Sequence, residues 1–209
     1  QLAACLGGTV DAATLAIASE REVEAALRPA IEQHLLFESV HADRRTYRFP
    51  HDRVHEAAYG LLPGPERAGV HLEIGRRLLA RTAPEELPEK VFEIVSQLDH
   101  GAALIESGQD RERLAELHLL AGTCAQASTA YASALRYFTT GAALLAAEAE
   151  ARRPELAFAL ALHRAECELL TGAFDAAEQR LAELAHRAAS IIDLAAVTSA
   201  RIALYTTLD

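Results

Sequence analysis

From about residue 65 to the end of the chain the apolar positions recur only at helical spacing. Val70, Ile74 and Leu78 make one stripe, and Val91, Val95 and Leu98 make the next, with Phe92 beside them. The polar stretch "ESGQD" breaks the pattern near residue 108. Helices are then predicted at about 110–127, 129–149, 154–171, 173–188 and 191–208, parted by "ARRPE" at 151–155 and "TGAFD" at 171–175.

The first 62 residues are patterned differently. "TVDAATLAIAS" reads as a short helix with Asp11 near its start, and "EREVEAALRPAIEQHLL" as a longer one. Val23, Leu27, Ile31 and Leu35 lie along one side of that helix, and Pro29 inside it can bend it. The period then shortens. "LLFESV" and "RTYRF", parted by the polar "HADR", predict a two-stranded hairpin. Helices followed by such a hairpin form a winged-helix pattern. Pro50 ends the second strand, and a helix follows with Val54, Ala58 and Leu61 on one face and His51 and Asp52 at its N-terminus. "LLPGPE" at 61–66 is a turn and the candidate domain boundary.

A repeat runs through the helical region. "AYASALRYFTTGAALL" places Tyr131, Ala134, Phe138 and Gly141; "GAFDAAEQRLAELA" places Phe174, Ala177, Leu181 and Leu184, 43 residues later. Both run aromatic, small, large along one helix face. Gly122 precedes Ala134 by the same step that Ala165 precedes Ala177. Small residues let helices approach and large ones fill the gap, which is the pattern of tetratricopeptide-like (TPR-like) repeats, here longer than the usual ~34 residues. Stacked pairs of that kind form an α-solenoid whose faces bind protein segments. The expected fold is therefore mainly α: a small winged-helix-like domain at 1–62, then a TPR-like α-solenoid of antiparallel helix pairs at 63–209.

Composition narrows the function. No apolar run reaches the ~18 residues of a membrane span. Three cysteines, Cys5, Cys124 and Cys167, are far apart and without a C-x-x-C, as expected of buried thiols in a reducing compartment, hence a cytoplasmic location. The formal charge of −10 opposes non-specific nucleic-acid binding. The chain opens at Gln1 and contains no methionine, so it reads as an excised segment of a longer protein. Lys90 is the single lysine among many arginines, a bias associated with GC-rich bacterial genes.

The densest candidate chemistry is "FPHDRVHEAAYGLL" at 49–62. His51 and His55 are four apart, close to a zinc-helix spacing, but no third ligand stands at a convincing offset. A DNA-reading role for the helix over 20–35 meets the charge of residues 1–62, where nine acids outnumber six arginines. A structural reading gives Phe49 and Tyr59 to the core, the stiff turn to Pro50 and the helix cap to His51 or Asp52. Tyr131, Tyr137, Phe138, Phe158 and Phe174 read as core, and Arg152 and Arg153 as solvated turn residues. With no Gly-rich phosphate loop, no G-x-S-x-G and no Cys–His pair at motif spacing, nothing in the segment is expected to catalyse a reaction or hold a metal.

The ordered blocks "YRFPHDRVHEAAYGLLP", "HLEIGRRLLA", "EKVFEIVSQLDHG" and "ERLAELHLLAGTCAQASTAYASALRYFTTGAALL" resemble the middle of large bacterial signalling proteins. In those proteins a serine/threonine-kinase-like domain is often followed by a STAND-class ATPase, then helical repeats, GAF or PAS sensors and a histidine kinase. The resemblance implies that residues 1–62 are the winged-helix end of the ATPase module. It also implies that His51 corresponds to a histidine that approaches the β-phosphate of bound ADP, although Pro50 stands where the familiar motif has methionine. ATP or ADP and Mg would then belong to the domain upstream. The partners expected are protein segments or neighbouring domains of the same chain, with no direct nucleic-acid contact. The alternative in the same resemblance is a STAND-type transcription regulator that binds DNA through another domain.

Overall fold

The computed structural model describes residues 1–20, 22–41 and 44–208. Arg21, and Ala42 and Asp43 of the expected hairpin turn, lie outside the described residues. The chain forms two compact units, Gln1–Ile105 and the residues from Glu106 onward. It is mainly helical with one small sheet. Among the described residues no helix is long and apolar enough to cross a membrane.

The first unit runs α1 (Leu2–Leu6), β1 (Thr9–Asp11), α2 (Ala12–Ser19), α3 (Val23–Glu32), β2 (Phe37–His41), β3 (Arg44–Arg48), α4 (Asp52–Gly60), α5 (Gly64–Arg81) and α6 (Leu87–His100), with a 3-10 turn at Ala102–Leu104. The sheet is antiparallel in the order β1-β3-β2, with Val10 opposite Tyr47 and Ser39 opposite Thr46. The hairpin is where the period-two pattern put it. Residues 9–11, read from the sequence as the start of a helix, are instead a strand. Asp11 divides the two elements: its Oδ1 accepts from the Ala13 amide at 2.8 Å and caps α2. The helix expected over 20–35 is shorter, ending at Glu32 one turn after Pro29.

Val10, Leu15, Val23, Leu36, Tyr47 and Phe49 form the core beneath the sheet. β2 is an exposed edge strand. Arg45 on β3 pairs with Glu38 beside it and with Glu24, which ties the hairpin to α3. Helices α5 and α6 lie beyond the expected boundary at residue 62 and belong to this same compact unit. A Cβ on Gly75 would lie 2.6 Å from Leu98 Cδ2, so only a bare backbone lets α5 and α6 approach this closely. Arg77 on α5 donates to the Ala18 carbonyl at 2.7 Å, at the C-terminal end of α2 where a cation suits the helix dipole.

The second unit is helical throughout: α7 (Gly108–Ala127), α8 (Tyr131–Leu144), α9 (Ala147–Arg152), α10 (Pro154–Leu170), α11 (Phe174–Arg187) and α12 (Ile191–Leu208). α7 packs on α8, α10 on α8 and α11, and α11 on α12. The 43-residue repeat is visible in the backbone. At the α7–α8 turn Ala130 has φ −84° and ψ 57°; at the α10–α11 turn Ala173 has φ −86° and ψ 59°. The amides of Ser128 and Thr171 donate to the carbonyls of Cys124 and Cys167, and their hydroxyls return to the same carbonyls at 3.1 and 2.7 Å. Thr129 and Gly172 both take the left-handed conformation that reverses the chain, at φ 59° and 83°.

Candidate functional site

The segment from Phe49 to Leu62 joins the sheet to the helices that follow it. The Phe49 amide donates to the Gly8 carbonyl at 3.0 Å, and its ring is buried in the core of the unit. Pro50 is half-buried behind it. His51 is the N-cap residue of α4, extended at φ −149°, and its carbonyl accepts from the amides of Val54 and His55. Its side chain makes no cap bond and is exposed. The helix therefore starts on the His51 backbone and not on the imidazole, contrary to a capping role for that ring. Asp52 follows in the first turn, where its charge suits the exposed N–H groups.

His55 goes the other way. Its Nε2 donates to the Ala4 carbonyl at 2.8 Å and its ring tilts against Phe49 at 5.1 Å, so it fastens α4 to α1. The two histidines of the zinc-like spacing thus face different surroundings. Among the described residues no three metal-type side chains are grouped to hold an ion.

Tyr59, expected in the core, is half-buried and opens a polar relay. Its hydroxyl lies 3.0 Å from His71 Nε2; His71 Nδ1 lies 2.7 Å from Gln97 Oε1; and Gln97 Nε2 donates to the Cys5 carbonyl at 2.9 Å. His71 and Gln97 are 3% and 5% exposed. The His71 ring stacks on His100 at 4.6 Å, and the Arg67 guanidinium sits 4.7 Å over the Tyr59 ring while bonding the Leu62 carbonyl. Burial pulls the His71 imidazole below its ordinary value. The Gln97 bond pushes it upward, and the neighbouring His100 adds to the fall. The relay links four helices, α1, α4, α5 and α6. Its members stand 12, 26 and 92 residues apart. No local pattern in the sequence marks separations of that size.

An open apolar cavity of about 600 Å³ lies between α1, α3 and α4, lined by Leu2, Leu15, Leu27, Leu36, Phe49 and Leu61 among others. In the second unit the residues singled out for repeat packing meet as follows. Phe138 and Ala134 are fully buried, and a Cβ on Gly122 would lie 2.3 Å from the Phe138 ring. Ala177 and Leu181 are fully buried, with Leu181 in one cluster with Ala165; Tyr131 and Phe174 are half-buried at the turns. Arg152 and Arg153 keep side chains 60% and 41% exposed, as expected of solvated residues, and each also has a partner that the sequence did not mark. Arg152 bonds Glu112 on α7 at 2.5 Å, and Arg153 bonds Glu116 at 2.5 Å, so the α9 segment is clamped to α7. Partial burial pushes the Glu116 carboxyl up, but Arg113 and Arg153 outweigh it and hold the group below the usual carboxylate range.

The chain is similar to the hybrid signal transduction histidine kinase G of Dictyostelium discoideum, at 27% identity over 184 residues. The match covers 77% of this chain and 5% of that protein, so the chain spans about one twentieth of its relative. No protein-family model matches the chain, and no solved structure matches it.

Proposed function

We propose that this chain is a non-catalytic regulatory and protein-interaction segment of a multi-domain signal-transduction histidine kinase. The observation that carries the reading is the similarity to a histidine kinase over most of this chain but a small fraction of the kinase. The parent would supply the histidine or serine/threonine kinase activity and an ATPase module upstream. That module would hold ATP or ADP and Mg, in the cytoplasm.

Residues 1–62 act in this reading as a winged helix. The order helix, strand, helix, helix, strand, strand, with the sheet order β1-β3-β2, supports it. Of the TPR-like arm expected over 63–209, α5 and α6 belong with the first unit, and the residues from Glu106 onward act as the arm that presents a face to protein segments or to neighbouring domains. The repeated turns at Thr129 and Gly172, with small residues set against large ones, support the arm. His51 is the nucleotide-sensing residue. Its ring is exposed at the α4 N-terminus and is not used by the fold as a cap, so it can donate to a phosphate brought to it. Phe49, Pro50, Asp52 and Tyr59 form the hinge that carries its position to α5.

The test uses the parent chain including the upstream ATPase, with and without His51→Ala, and measures retained ADP and its release rate. Faster release by about tenfold, with unchanged circular dichroism, is expected from the loss of one charge-assisted bond. Unchanged retention would remove His51 from the switch. ATP hydrolysis by residues 1–209 alone would overturn the non-catalytic assignment.

A further inference from the structure

The proton positions in the Tyr59–His71–Gln97 relay follow from its ends. The Cys5 carbonyl can only accept, so Gln97 must turn its NH2 toward it and its Oε1 toward His71. Nδ1 of His71 therefore carries the proton, Nε2 of the neutral ring carries the lone pair, and the Tyr59 hydroxyl donates to it. With His71 neutral, each bond of the relay has one donor and one acceptor. A second proton on Nε2 reverses the outermost bond, for Tyr59 must then accept and turn its own proton away from His71.

The groups facing His71 make that second proton costly to hold. On α6 the His100 ring is stacked on it; on α4 there is the phenol of Tyr59, with Arg67 of α5 over the far side of that phenol. Gln97 and the Cys5 carbonyl are neutral. Among the described residues no carboxylate bonds the ring. A buried cation without an anion beside it is expelled to water, and the movable neighbour is Tyr59, half-exposed and on a helix with no fully buried residue.

We propose that His71 is a protonation-released latch: in its neutral form it fastens the Tyr59 end of α4 to the α5–α6 pair, and protonation lets that end go while His55 still ties the helix to α1. The device does not depend on the kinase reading, since every component of it lies within residues 1–105. It would make the position of that end of α4 relative to α5 sensitive to mild acidification, or to any ligand that draws Tyr59 away.

The experiment is hydrogen exchange of the α4 amides in the 209-residue chain between pH 7.5 and 5, corrected for intrinsic rates, with His71 titrated by NMR in parallel. Native protein should show His71 as the Nδ1–H tautomer at pH 7.5. Protection of α4 should fall about tenfold for each pH unit once His71 protonation sets the opening. His71→Gln keeps a donor toward Gln97 and an acceptor toward Tyr59 without titrating, and should hold α4 protection flat. Tyr59→Phe cuts only the α4 end, and should show the low-pH exchange already at pH 7.5. It also serves as the test should His71→Gln fail to fold. Two results would overturn the proposal: protonation of His71 with α4 still protected, or the same acid loosening of α4 in His71→Gln or Tyr59→Phe as in the native chain.

Discussion

The helix pairs α7–α8 and α10–α11 share one backbone turn and differ in what fills the space between their helices. In the first pair Gly122 faces Phe138; in the second, Ala165 and Leu181 hold the same places. One side gains a methyl and the other gives up ring volume, so the summed side-chain volume is roughly kept. A second exchange is chemical. Ala121, Ala125 and Tyr137 of the first pair stand where the second has Arg164, Glu168 and Arg180. Glu168 is 4% exposed and takes bonds from Arg164 Nε at 2.9 Å and from Arg180 at 2.9 and 3.0 Å. The repeat therefore specifies the turn and the total volume, while the means of filling it is free.

The largest expected effect comes from breaking the first exchange on one side only. Gly122→Ala puts a methyl at 2.3–2.6 Å from three ring atoms of Phe138, and that ring has no room to swing because it is fully buried and stacked on His163. The variant should lose about 3 kcal/mol, the upper range for overpacking, measured by urea denaturation. Phe138→Leu alone should cost about 1–2 kcal/mol for the cavity it leaves. The double variant copies the Ala165–Leu181 pair and should cost clearly less than the sum of the two. Strict additivity would mean that the two pairs are not alternative solutions to one packing problem.

Next in size is the charged cluster. Glu168→Ala removes the acid and leaves Arg164 and Arg180 facing each other. Both are partly exposed and can turn toward water, so the loss should be about 2 kcal/mol rather than the larger figure for a sealed pair. Replacing all three residues by their first-copy counterparts, R164A, E168A and R180Y, should return stability to within about 1 kcal/mol of native, since an apolar filling commonly does as well as a buried ion cluster. If the triple variant is as unstable as Glu168→Ala, the cluster sets the geometry of the second pair and is not an interchangeable filling.

The turns and the facing positions of these two pairs were legible from the sequence because the helix period and the 43-residue spacing are local regularities, but the helix expected over 129–149 stops at Leu144 and a separate one, α9, follows at Ala147–Arg152. Each predicted helix from 154 onward ends within two residues of its observed limits, and Asp11 caps its helix. What escaped the sequence depends on partners far along the chain. β1 is three residues long, too short to alternate visibly, and exists because β3 pairs with it. The ion pairs of the solvated Arg152 and Arg153 left no local mark because Glu112 and Glu116 are 40 and 37 positions earlier. Around the candidate site, His51 stood out by its neighbours in the motif. His55, equally conspicuous, turned out to hold α1, and His71 carried no signal at all.

The smallest expected effect tests the shared turn itself. Thr129 adopts φ 59° with a β-branched side chain, while Gly172 adopts φ 83° at the equivalent place without strain. Thr129→Gly should stabilise the chain by about 0.5–1 kcal/mol, the relief of a left-handed side chain less the added freedom of glycine when unfolded. Gly172→Ala meets no atom within 4 Å, so its cost is backbone strain alone, about 1 kcal/mol. Opposite signs in thermal melts, each a shift of about 2–4 °C for a chain of this size, would show that one turn geometry serves both copies. If Thr129→Gly were destabilising, the Thr129 side chain would be contributing a contact that the second copy lacks, and the likeness of the two turns would end at the backbone.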